Sequence, residues 1–147
     1  MIRSIGTLST QPPYTGILFN DILIKMPGES LIVEEWMIPF MGFIYRALND
    51  SEGGLSRRFV YFTVRQTRVQ KGYSQWLHKW HVDAMGERPL NYCVAWGEAT
   101  EFKGYKAGSG EIVCFDGREQ HRSPIGKRDY LRTFLRIALS DTEIPCG

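Results

Sequence analysis

The chain is expected to form a mainly β double-stranded β-helix (jelly roll) with an N-terminal helix packed on one sheet, as a single domain over residues 1–147. Three observations predict it. Fifteen glycines and seven prolines supply many turns. About seven short β-branched or aromatic runs follow one another between residues 59 and 140, set apart by turn residues, as in double-sheet β architectures. Only residues 30–48 space their apolar side chains as a helix does.

In chain order, residues 11–14 form an extended lead-in, and residues 16–25 read as a strand apolar enough to be buried. In the helical stretch Leu31, Trp36, Phe40, Phe43 and Leu48 recur on one side. Ser30 is placed to cap its start, and Glu34 and Glu35 suit its first turns. Pro39 interrupts it or divides it in two. Residues 49–54 are a loop. Residues 59–65 are a β-branched and aromatic strand that can extend to Val69. Residues 71–79 connect it to an extended segment at 80–83, and residues 85–89 break the chain again. Strands follow at 90–96 and 111–115, with a short strand or turn at 98–102 and a glycine-rich stretch at 103–110. Gly117 turns the chain into the segment of His121, and residues 130–139 form a last long strand.

Bulk composition narrows the class. Apolar residues make up 43% and charged residues 23%, which suits a globular domain with a proper core. A net charge of +2 is too mild to require a nucleic-acid partner. Cys93, Cys114 and Cys146 are odd in number and lack CxxC spacing, which argues against a disulfide framework or zinc ribbon and favours a reducing setting. Cys93 and Cys114 read as small apolar residues on buried strands. With no signal-like N-terminus and no apolar run long enough to span a bilayer, a cytoplasmic location is expected.

The chemistry concentrates at Trp80-His81-Val82-Asp83 and at His121. Two imidazoles and one carboxylate on one face of an ion form the set that holds non-haem Fe(II) with coordination positions left open. An i, i+2 pair on an extended segment points to one side, so His81 and Asp83 can converge, and a neighbouring strand can bring His121. The only other histidine, His78, reads as a loop residue. On the last strand, alternation puts Arg132 and Arg136 on one face with Phe134, and Leu135, Ile137 and Leu139 on the other. An arginine on an inner face is costly unless an anion compensates it. A dicarboxylate can do so through a bidentate pair, and an ion pair of Arg132 with Glu111 or Asp129 is the other role open to it.

From about Arg65 to Ser140, these ordered motifs resemble the 2-oxoglutarate and Fe(II)-dependent dioxygenase superfamily, in its small, phage-type or stand-alone form. His81-Val82-Asp83 looks like the family's HxD element. The segment 97–102 is similar to its Gly-Gly-x-Thr-x-Phe element, with Thr100 as the threonine that helps to hold the co-substrate, although Ala99 and Glu98 separate the glycine from it. The run from Gly110 to Gly117, ending at His121-Arg122, resembles the strand and turn of the distal histidine. The resemblance implies Fe(II) on His81, Asp83 and His121, and 2-oxoglutarate anchored by Arg132, with Thr100 or Tyr92 assisting. Arg136 is a second candidate anchor or a substrate contact. Asp116, Glu119 and Gln120 are candidates to orient His121. The implied activity is oxygenation, with O2 and 2-oxoglutarate consumed and a substrate hydroxylated.

For the substrate side, Arg68, Trp76 and Trp80 belong to a region where Arg57, Arg58, Arg65, Lys71 and Lys79 alternate with aromatics. Such a mixture suits nucleic acid, but a solvated face over core aromatics is favoured. A protein side chain or small metabolite is an equal target. Two other classes fit the same residues. One is a non-catalytic jelly-roll binding protein; the other is a metal-dependent cupin enzyme that needs no 2-oxoglutarate.

Overall fold

A computed structural model of the chain describes residues 1–52 and 57–145. The protein is mainly β, and the described residues form a six-stranded sheet, a three-stranded sheet and one α-helix. The strands are β1 (Ile2–Thr7), β2 (Leu18–Lys25), β3 (Phe59–Val69), β4 (Leu90–Trp96), β5 (Glu101–Phe102), β6 (Tyr105–Lys106), β7 (Glu111–Asp116), β8 (His121–Arg122) and β9 (Tyr130–Ser140). The large sheet runs β1-β7-β4-β9-β3-β2 and the small one β6-β5-β8, with antiparallel pairing throughout.

The central strands read as almost continuous apolar runs because both faces of the large sheet are covered. Helix α1 (Met41–Glu52) covers one face. Its Phe43, Ile44, Ala47 and Leu48 fall on one stripe and pack with Phe62, Val94, Ile112, Leu135 and Ile137. The other face is divided. Under the small sheet it is apolar, where Cys93, Ala95, Val113, Phe115 and Phe134 meet Phe102. Towards β3 and β9 it carries Thr63, Arg65, Arg132 and Arg136, all buried.

Several boundaries differ from the sequence expectation. The helical stretch begins as a 3-10 turn (Glu35–Phe40), and the α-helix starts only at Met41. Pro39 has no N–H to donate and clashes with a preceding α-helical turn, so it closes the 3-10 turn instead. Ser30 caps nothing: the Ile32 amide donates to the Ile24 carbonyl at 2.8 Å, so the chain here runs beside β2. The expected loop at 49–54 is helical as far as Glu52, and positions 53 and 54 lie outside the described residues, as does Cys146. Cys93 and Cys114 are buried and free.

Sequence reading assigns no strand to residues 2–7, yet β1 pairs with the edge of β7. Only its Ile2, Ile5 and Gly6 are partly covered, so edge pairing rather than an apolar pattern defines it. Beyond β1, the Leu8 amide donates to the Gly110 carbonyl at 2.7 Å, and Trp96 Nε1 donates to the Leu8 carbonyl at 2.7 Å. Gly110 has φ +77°, and a Cβ there would lie 2.4 Å from the Leu8 oxygen. Among the described residues no helix is long and apolar enough to cross a membrane.

Gly110→Ala combines that backbone clash with a left-handed conformation, which alone costs about 1–3 kcal/mol. Urea denaturation is expected to show a loss of at least that size, with an unchanged m-value.

Candidate metal centre

His81 and His121 face each other in an isolated antiparallel bridge between the segment before β4 and the start of β8. Each amide donates to the other's carbonyl, at 3.1 and 3.0 Å. Directly opposed residues share a face, so both imidazoles project to the same side, with ring centroids 4.5 Å apart. The sequence expectation of a strand at 80–83 reduces to this single bridge. Asp83 is placed by other means: Asn91 Nδ2 donates to its carbonyl at 3.1 Å, and Arg136 Nη1 donates to its Oδ2 at 2.7 Å. One ligand atom from each of His81, Asp83 and His121 lies within 4.8 Å of the others.

The protonation pattern of this cluster suits a cation. His81 Nδ1 lies 2.8 Å from the Lys79 carbonyl, and His121 Nδ1 lies 3.1 Å from the Glu119 carbonyl. A carbonyl oxygen only accepts, so each Nδ1 carries a hydrogen, and each Nε2 is left as the candidate ligand. His121 Nε2 then stands 2.7 Å from Asp83 Oδ2. Two lone pairs repel at that distance unless a second proton or a metal ion lies between them. The donor set therefore fits a divalent ion, and the backbone carbonyls are the groups that orient the rings. Of the side chains expected to orient His121, Glu119 binds the N-terminal amine and Asp116 accepts from Arg118.

Burial pushes the Asp83 carboxyl up, but the hydrogen bond with His121, the Arg136 guanidinium and the two imidazoles outweigh it and hold it well below the usual carboxylate range. Burial likewise opposes the charge on Arg136, and Asp83 and Asp21 overcome it. Arg136 Nη2 donates to Asp21 Oδ1 at 2.9 Å, so this guanidinium bridges two carboxylates. Asp21 arrives through a β-bulge. The register of β2 on β3 shifts between Phe19 and Ile22, and Asp21 takes φ +49°. Bulges of this kind redirect side chains. Asn20 and Asp21 thereby meet Arg65 and Arg136 respectively.

Arg132 differs from Arg136. It is 1% exposed, and no carboxylate among the described residues meets it. Its Nε donates to the Glu98 carbonyl at 2.8 Å, Nη1 to Gln75 Oε1 at 2.8 Å and Nη2 to the Thr100 hydroxyl at 2.9 Å. The pairing with Glu111 or Asp129 considered from sequence is not made. Burial lowers the Arg132 pKa to about 10, so it stays charged at neutral pH. Thr100 lies beside it and also lines the cavity of the histidines. That cavity measures about 60 Å³ and is bounded by Arg65, Trp76, Leu77, Phe134 and Arg136 as well as the trio, with room for an ion and a few waters.

Three expected site residues are corrected. Tyr92 lies on the far face of the large sheet, within the core under α1, and its hydroxyl donates to Asp50 at 2.7 Å. Strand alternation turns its neighbour Cys93 towards the site instead. Arg68 is exposed and pairs with Leu131, which places it on that same far face. Trp76 does border the cavity. Trp80 stands opposite Arg122, whose guanidinium lies 4.1 Å from its ring, outside the His121 face of the small sheet. Sequence reading missed Gln75, Asn20 and Asp21. The polar Asn20-Asp21 pair inside an otherwise apolar strand was the signal available for the bulge.

In comparisons with known proteins, no family model, no curated protein and no solved structure matches the chain.

Arg136→Met leaves two carboxylates without their cation. Removing one partner of a buried pair costs about 3–5 kcal/mol. Because Asp83 and Asp21 keep 21% and 26% of their side chains exposed, a loss of about 2–3 kcal/mol is expected at neutral pH, read from urea denaturation. The sign with pH follows from the depressed Asp83 pKa. Stability from this group is present above the ordinary value of 3.8 and is lost as pH falls below it. Stability of the metal-free protein is therefore expected to fall more steeply below about pH 4 than that of Arg136→Met.

Proposed function

We propose that the protein is an Fe(II)- and 2-oxoglutarate-dependent oxygenase that hydroxylates a substrate C–H bond. The observation that carries this reading is the pairing of two features on one side of the sheet. His81, Asp83 and His121 converge with both Nδ1 atoms tied to carbonyls, and the buried cation of Arg132 has only neutral partners. Three protein ligands leave positions on an octahedral ion for a chelating co-substrate and oxygen. Bound iron would activate O2 as the four-electron oxidant: two electrons would come from 2-oxoglutarate, released as succinate and carbon dioxide with one oxygen atom in the succinate, and two from the substrate C–H bond, which would take the other.

The chain's own residues have separate tasks. His81, Asp83 and His121 hold the ion, and Arg136 keeps the Asp83 carboxylate turned towards it. Arg132, whose guanidinium is oriented by Glu98, Gln75 and Thr100, would hold the distal carboxylate of the co-substrate, with the Thr100 hydroxyl beside it as a second donor. Phe102 and Phe115, with centroids 5.8 and 5.0 Å from that of His121, exclude water from one side.

The fold that accompanies this reading is a jelly roll. Its support is the way the chain alternates between layers. It passes from β3 to the His81 bridge, to β4, to β5 and β6, to β7, to β8 and to β9. This gives β7-β4-β9-β3 in one sheet and the His81 segment with β8-β5-β6 in the other. A second reading, a metal-dependent cupin enzyme without co-substrate, is favoured by one feature only, the small cavity of about 60 Å³ beside the trio.

Anaerobic titration with Fe(II) and then 2-oxoglutarate separates these. A weak visible charge-transfer band is expected from the chelate. Iron binding with no band supports the cupin, and no iron binding sinks both. Asp83→Ala is expected to weaken iron binding on the order of 100-fold or more and to abolish succinate formation. Arg132→Met is expected to weaken 2-oxoglutarate at least about 10-fold while leaving iron affinity unchanged.

A further inference from the structure

Arg65 is the third guanidinium buried on the site face, 6% exposed at the middle of β3 opposite Phe134. Its hydrogen bonds all go to one neutral atom. Nε and Nη2 donate to Asn20 Oδ1 at 3.0 and 2.8 Å, and Nη1 has no hydrogen-bond partner among the described residues. Trp76 lies over the guanidinium at 3.9 Å, and both residues line the cavity that holds His81, Asp83 and His121. The nearest carboxylates, Asp83 and Asp21, are both taken by Arg136. Burial and the neighbouring Arg136 lower the Arg65 pKa to about 10, which leaves it charged at neutral pH.

The charges of this pocket do not balance. Arg65, Arg132 and Arg136 face Asp21 and Asp83, while Arg122 and Glu101 neutralise each other nearby. The excess is one positive charge. A divalent ion raises it to three, and a dicarboxylate co-substrate on Arg132 lowers it to one again. Burying a cation without an anion is costly, and Arg65 is the guanidinium left without one.

We propose that Arg65 anchors an oxyanion group of the substrate, carboxylate or phosphate, so that the molecule oxygenated is a small organic acid held between this guanidinium and the metal. Trp76 fixes the plane of the guanidinium, and Asn20, brought in by the β2 bulge, occupies the Nε–Nη2 edge that an anion would otherwise take, leaving Nη1 open. A small acid is favoured over nucleic acid because the other arginines form no open track for phosphates. Arg58 pairs with Asp141, Arg118 with Asp116 and Arg122 with Glu101, and Arg68 points to the far face. The identity of the bound molecule as a substrate rests on the oxygenase reading; the anion site itself does not.

The test titrates the metal-free full chain with acetate and, separately, inorganic phosphate, following tryptophan fluorescence because Trp76 stacks on the anchor. A saturable change is expected for at least one anion, and the stronger of the two identifies the group. Arg65→Met is expected to weaken it at least 10-fold, Arg118→Met, an exposed arginine outside the cavity, to leave it within twofold, and Asn20→Ala, which frees the guanidinium edge, to tighten it. If Arg65→Met does not fold, Asn20→Ala decides: weaker binding there overturns the proposal. No saturable response, equal affinity in Arg65→Met, or tighter binding of a short oligonucleotide than of either anion would also overturn it. Mn(II) binding, read by electron paramagnetic resonance, is expected to be unchanged in Arg65→Met. Loss of Mn(II) binding by the wild type would end the oxygenase reading, whereas the anion titration alone judges Arg65.

Discussion

A guanidinium gripped by two carboxylates holds the working half of this molecule together. Arg136 projects from the middle of β9, opposite Thr63 and Cys93, and it draws Asp21 from the sheet edge and Asp83 from an irregular segment onto one point. Without that cation, neither carboxylate would have a partner to repay its burial on this face. The carboxylates in turn make a buried arginine tolerable. Each partner thus removes a burial cost that the other would otherwise impose.

The large sheet makes this possible by treating its two faces differently. The face under α1 is apolar where the helix packs on it and supplies the cohesion of the fold. The opposite face is apolar only beneath β5, and there Phe102, Phe115 and His121 pack together. Next to that patch lie the three arginines of β3 and β9. An ion seated at the histidines therefore has a dry aromatic wall on one side and a positively charged wall on the other. Low-dielectric surroundings strengthen every charge interaction in such a place, which is why anionic guests suit it.

Much of this was legible in the chain. Runs of β-branched and aromatic residues marked β3, β4, β7 and β9 within a residue or two, because strands covered on both faces must be apolar along their length. Period-two alternation assigned Arg132 and Arg136 to one face and Leu135, Ile137 and Leu139 to the other. The same rule, applied to β4, excludes Tyr92 from the site once it is known which face of that strand looks at β5. That piece of knowledge is not local. The strand β1, the bulge at Asn20-Asp21 and the reach of Gln75 to Arg132 were equally hidden, because each depends on a partner far away in the chain.

The amino-acid order by itself determined the strand-rich class, the one helical segment, and the short list of side chains able to bind a cation. These follow from periodicity and from residue chemistry, which act over a few positions. Tertiary structure alone decided that two imidazoles meet across a bridge and that one arginine is neutralised while two are not. It also decided that the tryptophan lining the cavity is Trp76, while Trp80 lies outside the His121 face. Those outcomes depend on the net charge and burial of a face assembled from distant segments, and no window along the chain contains either quantity.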